Sequence, residues 1–198
     1  MPSARTSNTT FTHEARRAQL IETAIAVIND VGVERASLSR MADRAGISRG
    51  VITYHFTDRD TLLSAVVEHV YSLATDILGD RVRAAGSPRA ALSIFIGGSI
   101  GFYARHAPEM AALTAIYRSP DHPRSGRGEH AAELLELESI LSAGIRTGEF
   151  ADCDPTIVAG TIRAGLDAAL ARIAVGGDAE HEKRELVALF DRATRGDT

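Results

Sequence analysis

A single cysteine, Cys153, in 198 residues has no partner within the chain, so neither a disulfide framework nor a cysteine-ligated zinc site can be built from it. A secreted, disulfide-stapled scaffold is excluded, and a reducing compartment is expected. Apolar stretches are interrupted well short of the roughly 20 residues that cross a bilayer. Residues 1–19 read as a polar arm without the apolar region of a signal peptide. A cytoplasmic protein with no membrane partner is the expectation. Alternating strand patterns, internal repeats and low-complexity tracts are absent. The seven histidines (His13, His55, His69, His106, His122, His130 and His181) include no pair at i, i+4 spacing, so no metal site and no cofactor are expected.

What is present is an ordinary globular composition, 44% hydrophobic and 24% charged, enough to bury a core. The net charge of −4 is unevenly divided, with residues 1–60 at +1 and the remainder at −5. An anion-binding surface therefore belongs near the N-terminus, because affinity for phosphates follows the local cluster of cations and not the total.

Helical periodicity runs through nearly the whole chain, and the expected fold class is all-α with about nine helices. Leu20, Ile21, Ala24, Ile25, Ile28 and Val31 share one face of a first helix over 14–31, ended by Gly32. Residues 1–13 are expected to be a flexible arm. Ser37 caps a short helix over 38–45, Gly46 supplies a left-handed stop, and Ser48 caps a third helix to about His55. Asp58 caps a fourth to about Asp80. Further helices are expected over 88–105, 107–117, 128–147, 155–175 and 179–194, with a loop over 119–126.

Helices as short as those over 37–55 must pack on one another to persist. Leu38, Met41, Ala42, Ala45, Ile47 and Ile52 supply a shared core, small Ala42 allows close approach, and Gly46 makes the sharp turn. That is helix-turn-helix spacing. The third helix then presents Arg49, Gly50, Thr53 and Tyr54, a cation beside small and hydroxyl-bearing groups that fit a major groove.

The run Ser37-Leu38-Ser39-Arg40-Met41-Ala42-Asp43-Arg44-Ala45-Gly46-Ile47-Ser48-Arg49-Gly50, continued by Val51-Ile52-Thr53-Tyr54-His55-Phe56-Thr57-Asp58-Arg59-Asp60-Thr61-Leu62, resembles the TetR family of transcriptional regulators. The resemblance extends over 14–62 by motif and over the chain by length and helix order. It implies a homodimer whose N-terminal heads (1–60) bind a palindromic, double-stranded operator and whose helical body (61–198) holds a small-molecule effector. By position, it implies base contacts from Arg49, Gly50, Val51 and Thr53. Phosphate contacts are implied for Ser37, Ser48, Tyr54, His55 and Arg59, with Ser39 and Arg40 as further candidates. The chain departs from the family pattern at Val51, Thr53 and Thr57, which bears on the operator sequence. His55 can equally pack under the fourth helix, Arg59 can pair with an acid of its own helix, and Arg16 and Arg17 read as solvated charges.

One pattern points to another class. Gly97-Gly98-Ser99-Ile100-Gly101 matches the G-x-S-x-G of serine hydrolases. That chemistry needs a strand before the serine and a base and acid behind it, and no strand is expected. Leu92, Phe95, Ile96, Ser99, Phe102 and Tyr103 instead continue one helical stripe, so an enzyme is not expected. The glycines read as close helix contacts or a kink opening a cavity.

In the body, Gly160, Ala164, Gly165, Ala168 and Ala169 form a small-residue surface, and with Arg172, Leu186, Leu189 and Phe190 they are the candidates for dimerisation. An effector pocket is expected between the fourth helix and 88–147, lined by His69, Phe95, Phe102, Tyr103, His106, Met110, Leu113, Tyr117 and Leu141. The competing reading of each is core packing. A largely apolar effector, and repression relieved by it, follow from the lining and the resemblance respectively.

Overall fold

The structure is a computed structural model that describes residues 4–120 and 131–196. The helices are α1 (Ala4–Val31), α2 (Leu38–Ala45), α3 (Arg49–His55), α4 (Arg59–Arg83), α5 (Pro88–Arg105), α6 (Ala107–Arg118), α7 (Ala131–Thr147), α8 (Pro155–Ala174) and α9 (Ala179–Thr194), with a 3-10 turn at Val33–Arg35. Among the described residues, strand-like pairing is limited to an isolated antiparallel bridge between Phe150 and Arg195. The all-α expectation is correct.

Helix ends follow the capping chemistry in the sequence. The Ser37 hydroxyl accepts from the Arg40 N–H at 3.3 Å, and the Asp154 carboxylate accepts from Thr156 at 2.9 Å with Pro155 at the first helical position. The Asp58 carboxylate takes the Thr61 N–H at 2.7 Å. One expectation needs correction. The stretch 1–13 is not a free arm but is helical from Ala4. Its polar run has no apolar stripe for periodicity to detect, and the backbone ladder of α1 simply continues through it. The start of the helix expected from 128, and residues 121–126 of the expected loop, lie outside the described residues.

The chain forms two compact units, and their boundary differs from the expected division at 60/61. One unit takes the residues up to Ser72 together with the segment from Pro108; the other takes Leu73–Ala107 and the described residues after 130. The first half of α4 and all but the first residue of α6 thus join the head. Side chains explain the grouping: the Asn29 amide donates to the Pro108 carbonyl at 2.9 Å, and the Tyr71 and Tyr117 hydroxyls lie 3.1 Å apart. Leu20, Ala24 and Ile28 of α1, Met41 and Ala42 of α2, Ile52 of α3, Phe56, and Leu62 and Val66 of α4 are buried in this unit. By length and mean hydropathy alone α4 could cross a membrane, although Glu68 and Asp76 interrupt its apolar run. Leu62, Leu63, Val66, Val67 and Val70 are buried as protein core instead.

In the second unit α5 is the hub. Its glycines make close contacts: a Cβ on Gly98 would lie 2.6 Å from a Leu78 methyl, and one on Gly97 would lie 3.5 Å from the Lys183 side chain of α9. The helix runs through them unbroken from Pro88 to Arg105. The loop between α7 and α8 knits several ends together. The Ala151 N–H donates to the Thr194 carbonyl at 3.0 Å, the Glu149 carboxylate accepts the Arg89 N–H at the start of α5 at 3.2 Å, and the Phe150 N–H returns to Gly144 at 3.1 Å. Phe150 lies so close over Gly144 that a Cβ there would meet the base of the ring at 2.7 Å.

These contacts separate two otherwise similar substitutions. Gly144→Ala, which drives a methyl into a buried ring unable to swing away, is expected to cost about 1–3 kcal/mol. Gly160→Ala, on a helical site with nothing within 4 Å of the added carbon, is expected to gain about 0.5–1 kcal/mol. Scanning calorimetry should show the two melting temperatures moving in opposite directions from wild type.

Candidate nucleic-acid interface

The interface begins with the turn between α2 and α3. Gly46 adopts φ 65°, ψ 34°, the left-handed conformation that a side chain would strain, and the Ile47 N–H returns to the Ala42 carbonyl at 3.0 Å. Ser48 holds the extended N-cap backbone, and its hydroxyl makes no capping bond. Ile52 is buried against Met41 and Ala42, which fixes the opposite face of α3 outward. That face carries exposed Arg49, Gly50 and Val51, and Tyr54 at 77% exposure. Ser37, Ser39, Arg40 and Ser48 are exposed as well. The Thr53 hydroxyl is turned onto its own helix, donating to the Arg49 carbonyl at 2.9 Å.

Arg59, for which its position implied a phosphate contact, is engaged with the fold. Its Nε donates to the Ala36 carbonyl at 3.0 Å and its Nη2 to the Val33 carbonyl at 2.6 Å, while Nη1 lies 3.8 Å from Asp60. The guanidinium fork satisfies two carbonyls of the turn before α2 and ties that turn to the start of α4. Arg17, expected as a solvated charge, sits 4.5 Å over the ring of fully buried Phe56, a cation–π lid on the core. The Thr61 N–H holds the Asp58 carboxyl below its usual range.

His55 combines features of both its readings. It is half-buried, its Nδ1 is covered and unpartnered, and its ring lies 4.4 Å from His13 of α1 and 5.2 Å from Tyr54. Burial, then the charges of His13, Arg16 and Arg17, hold its pKa below the ordinary value. His13 was not among the candidates. The signal available was its spacing from Arg16 and Arg17, at i+3 and i+4 on one face of α1.

The expected effector lining is divided between the two units. His69, Met110, Leu113 and Tyr117 belong to the first, and Phe95, Phe102, Tyr103, His106 and Leu141 to the second. Phe95, Phe102, Tyr103 and Leu141 are buried, and Phe102 stacks on His106 with ring centres 4.5 Å apart. Tyr103 is joined by a residue that the sequence did not single out. Arg163 of α8 donates to the Tyr103 hydroxyl at 3.0 Å, pairs with Glu133 at 2.8 Å and with Asp167, and is only 11% exposed along its side chain. Burial pushes the Tyr103 hydroxyl up to about 12, so it stays neutral. Burial works against the charge of Arg163, yet Tyr103, Glu133 and Asp167 hold its pKa above the ordinary value. An arginine within the apolar run of α8 was the sequence clue. A cavity of about 310 Å³ between α5 and α9, walled by Arg89, Leu92, Ile96, Phe150, Val187 and Asp191, contains none of the effector candidates.

The dimerisation candidates also divide. Gly160, Ala164, Ala168 and Leu189 are exposed, in company with Ile157 at 67% and Val175 at 86%. Gly165 faces Phe190 and Leu186, whose atoms would lie 3.3 and 3.6 Å from an added Cβ, and Ala169 is buried. Gly165, Ala169, Leu186 and Phe190 are therefore internal packing of α8 on α9, where small residues serve the same close approach. Arg172 pairs with Glu182 at 2.5 Å. Ser99 is buried inside α5 with its hydroxyl bonded to the Phe95 carbonyl at 2.8 Å. Burial pushes the Cys153 thiol up, away from a reactive thiolate.

Residues 20–66 match the family model described as bacterial regulatory proteins, tetR family. The HTH-type transcriptional regulator BetI of Cronobacter sakazakii is 34% identical over 134 residues, covering 66% of either chain. That of Escherichia coli strain K12 is 33% identical over 130 residues, covering 64% of this chain and 67% of the relative. The chain thus spans about two thirds of the length of these curated relatives. Two solved structures share the fold. AibR, in complex with isovaleryl coenzyme A and operator DNA, aligns with a TM-score of 0.72 at 19% identity, covering 88% of this chain and 97% of that one. FadR from Bacillus subtilis, in complex with stearoyl-CoA, gives 0.78 at 19% identity, covering 87% and 96%.

The geometry assigns Arg59 a stability role that can be measured. Arg59→Ala leaves two carbonyls without their charged partner and should destabilise the protein by about 2 kcal/mol in urea unfolding. Arg59→Lys should recover less than half of this, since one ammonium cannot reproduce the fork.

Proposed function

This chain belongs to the TetR family of transcriptional regulators, and from that premise we propose that it is a homodimer binding a palindromic operator through α3 and released from it by a small, largely apolar effector. The observation that carries the reading is the outward face of α3. Tyr54 and Val51 stand in solvent beside Arg49 and Gly50, on a helix whose other face is buried. A surface-exposed aromatic next to an unpaired-looking cation on a rigid short helix is suited to a groove lined by bases and phosphates. Arg49, Gly50, Val51 and Thr53 take the base contacts in this reading. Ser37, Ser39, Arg40, Ser48, Tyr54 and His55 contact the backbone. Arg59 positions the helix-turn-helix unit and does not itself meet a phosphate.

Dimerisation through the exposed part of the small-residue surface fits the same scheme. Ile157, Gly160, Ala164, Ala168, Val175 and Leu189 present apolar and small groups to solvent, whereas Gly165, Ala169, Leu186 and Phe190 hold α8 and α9 together beneath them. Two-fold symmetry in the protein would match two half-sites about 34 Å apart.

For the effector, the buried side chains of Phe95, Phe102 and Leu141 would have to part to line an apolar site, and the Tyr103–Arg163–Glu133 group would supply its polar anchor. An acyl-type molecule fits this combination, and the AibR and FadR complexes carry acyl-CoA ligands. Release of DNA requires the effector to bind better to a conformation that fits the operator poorly.

Gel shifts against DNA from the upstream region of its own gene, with and without isovaleryl-CoA and stearoyl-CoA, test the reading as a whole. Failure to bind any sequence more tightly than random duplex would overturn it. Arg49→Ala should weaken specific binding by roughly 1–3 kcal/mol and relax selectivity at one operator position. Arg59→Ala should leave the salt dependence of binding unchanged; a slope reduced by about 0.9 would return Arg59 to a phosphate. Ala168→Arg should yield monomers in sedimentation, and a stable dimer would move the interface elsewhere. Tyr103→Phe should raise the acyl-CoA concentration needed for release about tenfold while operator affinity is unaltered.

A further inference from the structure

Three aromatic rings converge where α1 passes the end of α3. His13 lies 4.4 Å from His55, the Tyr54 ring stands edge-on to both at 5.7 and 5.2 Å, and all are within the first unit. Tyr54 and His13 are exposed, whereas His55 is half-buried with its Nδ1 covered and unpartnered. Arg16 and Arg17, one turn along α1 from His13, complete the surroundings. Arg16 bonds to Gln19 at 2.7 Å, and Arg17 lies over Phe56. Imidazole is the side chain whose charge ordinarily changes between pH 5 and 8, and this group places two imidazoles side by side, their planes tilted by 43°, next to two arginines.

We propose that His13 and His55 form a proton-linked phosphate site on the flank of α3, so that each head takes up one proton when it binds the backbone of duplex DNA. The proposal rests on the DNA-binding reading and adds a residue, His13, and a pH dependence to it.

The sign follows from the charges that face His55. From α1 these are the basic groups His13, Arg16 and Arg17, and from α3 its neighbour is Tyr54. Burial and the three basic groups all disfavour a proton on His55, which holds it neutral near pH 7 in the free protein. A phosphate oxygen arriving beside Tyr54 reverses the balance. It brings negative charge within reach of both rings and an acceptor for an imidazolium N–H, a charge-assisted bond worth more than a neutral one. Affinity for DNA then rises as pH falls from the bound-state pKa toward the lower free-state pKa. Below the free-state value His55 is already charged and the dependence flattens.

The test measures fluorescence anisotropy of a labelled duplex of arbitrary sequence, about 30 base pairs long, at constant ionic strength, because a phosphate site is indifferent to sequence. Between about pH 8 and pH 6 the wild-type affinity should rise roughly three- to tenfold per head. His55→Gln should abolish the rise, and His13→Gln should at least halve it. His13 is exposed, so its variant decides the question even where His55→Gln perturbs folding. Binding that is salt-dependent but flat with pH, or a rise that survives in both variants, overturns the proton link alone. No binding to any duplex at any pH overturns the DNA-binding reading and this proposal with it.

Discussion

Helices of eight and seven residues do not persist in water, so α2 and α3 exist because Met41, Ala42 and Ile52 are buried, with α2 packed between α3 and α1, whose Leu20, Ala24 and Ile28 are buried as well. The rest of the head follows from that burial. Once Ile52 points inward, the residues on the opposite side of α3 have nowhere to go but solvent, which is how Tyr54 and Val51 come to be exposed. The left-handed Gly46 sets the angle between the two helices, and Ala42, almost without a side chain, lets them close.

Cations in the head divide into those that hold the protein together and those left for a partner. Arg59 satisfies carbonyls of Val33 and Ala36, Arg17 covers Phe56, and Arg44 pairs with Asp30 at 2.6 Å. Arg49 and Arg40 remain exposed on α3 and α2. A head with a net charge near zero can still offer a positive face, because several of its arginines are engaged with the fold and the exposed ones are concentrated at the helix-turn-helix. The second unit shows the inward pattern again, with Arg163 drawn between Tyr103, Glu133 and Asp167.

Local features were legible in the sequence because their causes are local. Ser37, Asp58 and Asp154 cap helices, Gly32 and Gly46 end them, and the stripe of Leu20, Ala24 and Ile28 reads directly as a buried face. The bonds that Arg59 makes within the fold were not legible because the carbonyls lie 23 and 26 residues earlier, a contact made only once α4 is packed. Gly165 and Ala168 could not be told apart for a similar reason: a small residue permits close approach equally to α9 of the same chain or to another chain. The helix from Ala4 escaped because a polar helix has no periodicity, and the grouping of α6 with the head because it depends on single bonds such as that from Asn29 to Pro108.

The loop at 148–151 ties together more helix ends than its length suggests. Its carboxylate holds the start of α5, its ring rests on α7, and its backbone meets the end of α9. Each attachment fixes the position of a different residue along the loop, so its length is set three times over. Insertion of even one residue would put at least one attachment out of register. The turn at 176–178 has no such cross-ties to distant helices among the described residues; its backbone returns to Arg172 and Ile173 at the end of α8, and Asp178 caps α9. Length variation among homologous chains should therefore collect at the second turn and be nearly absent from the first.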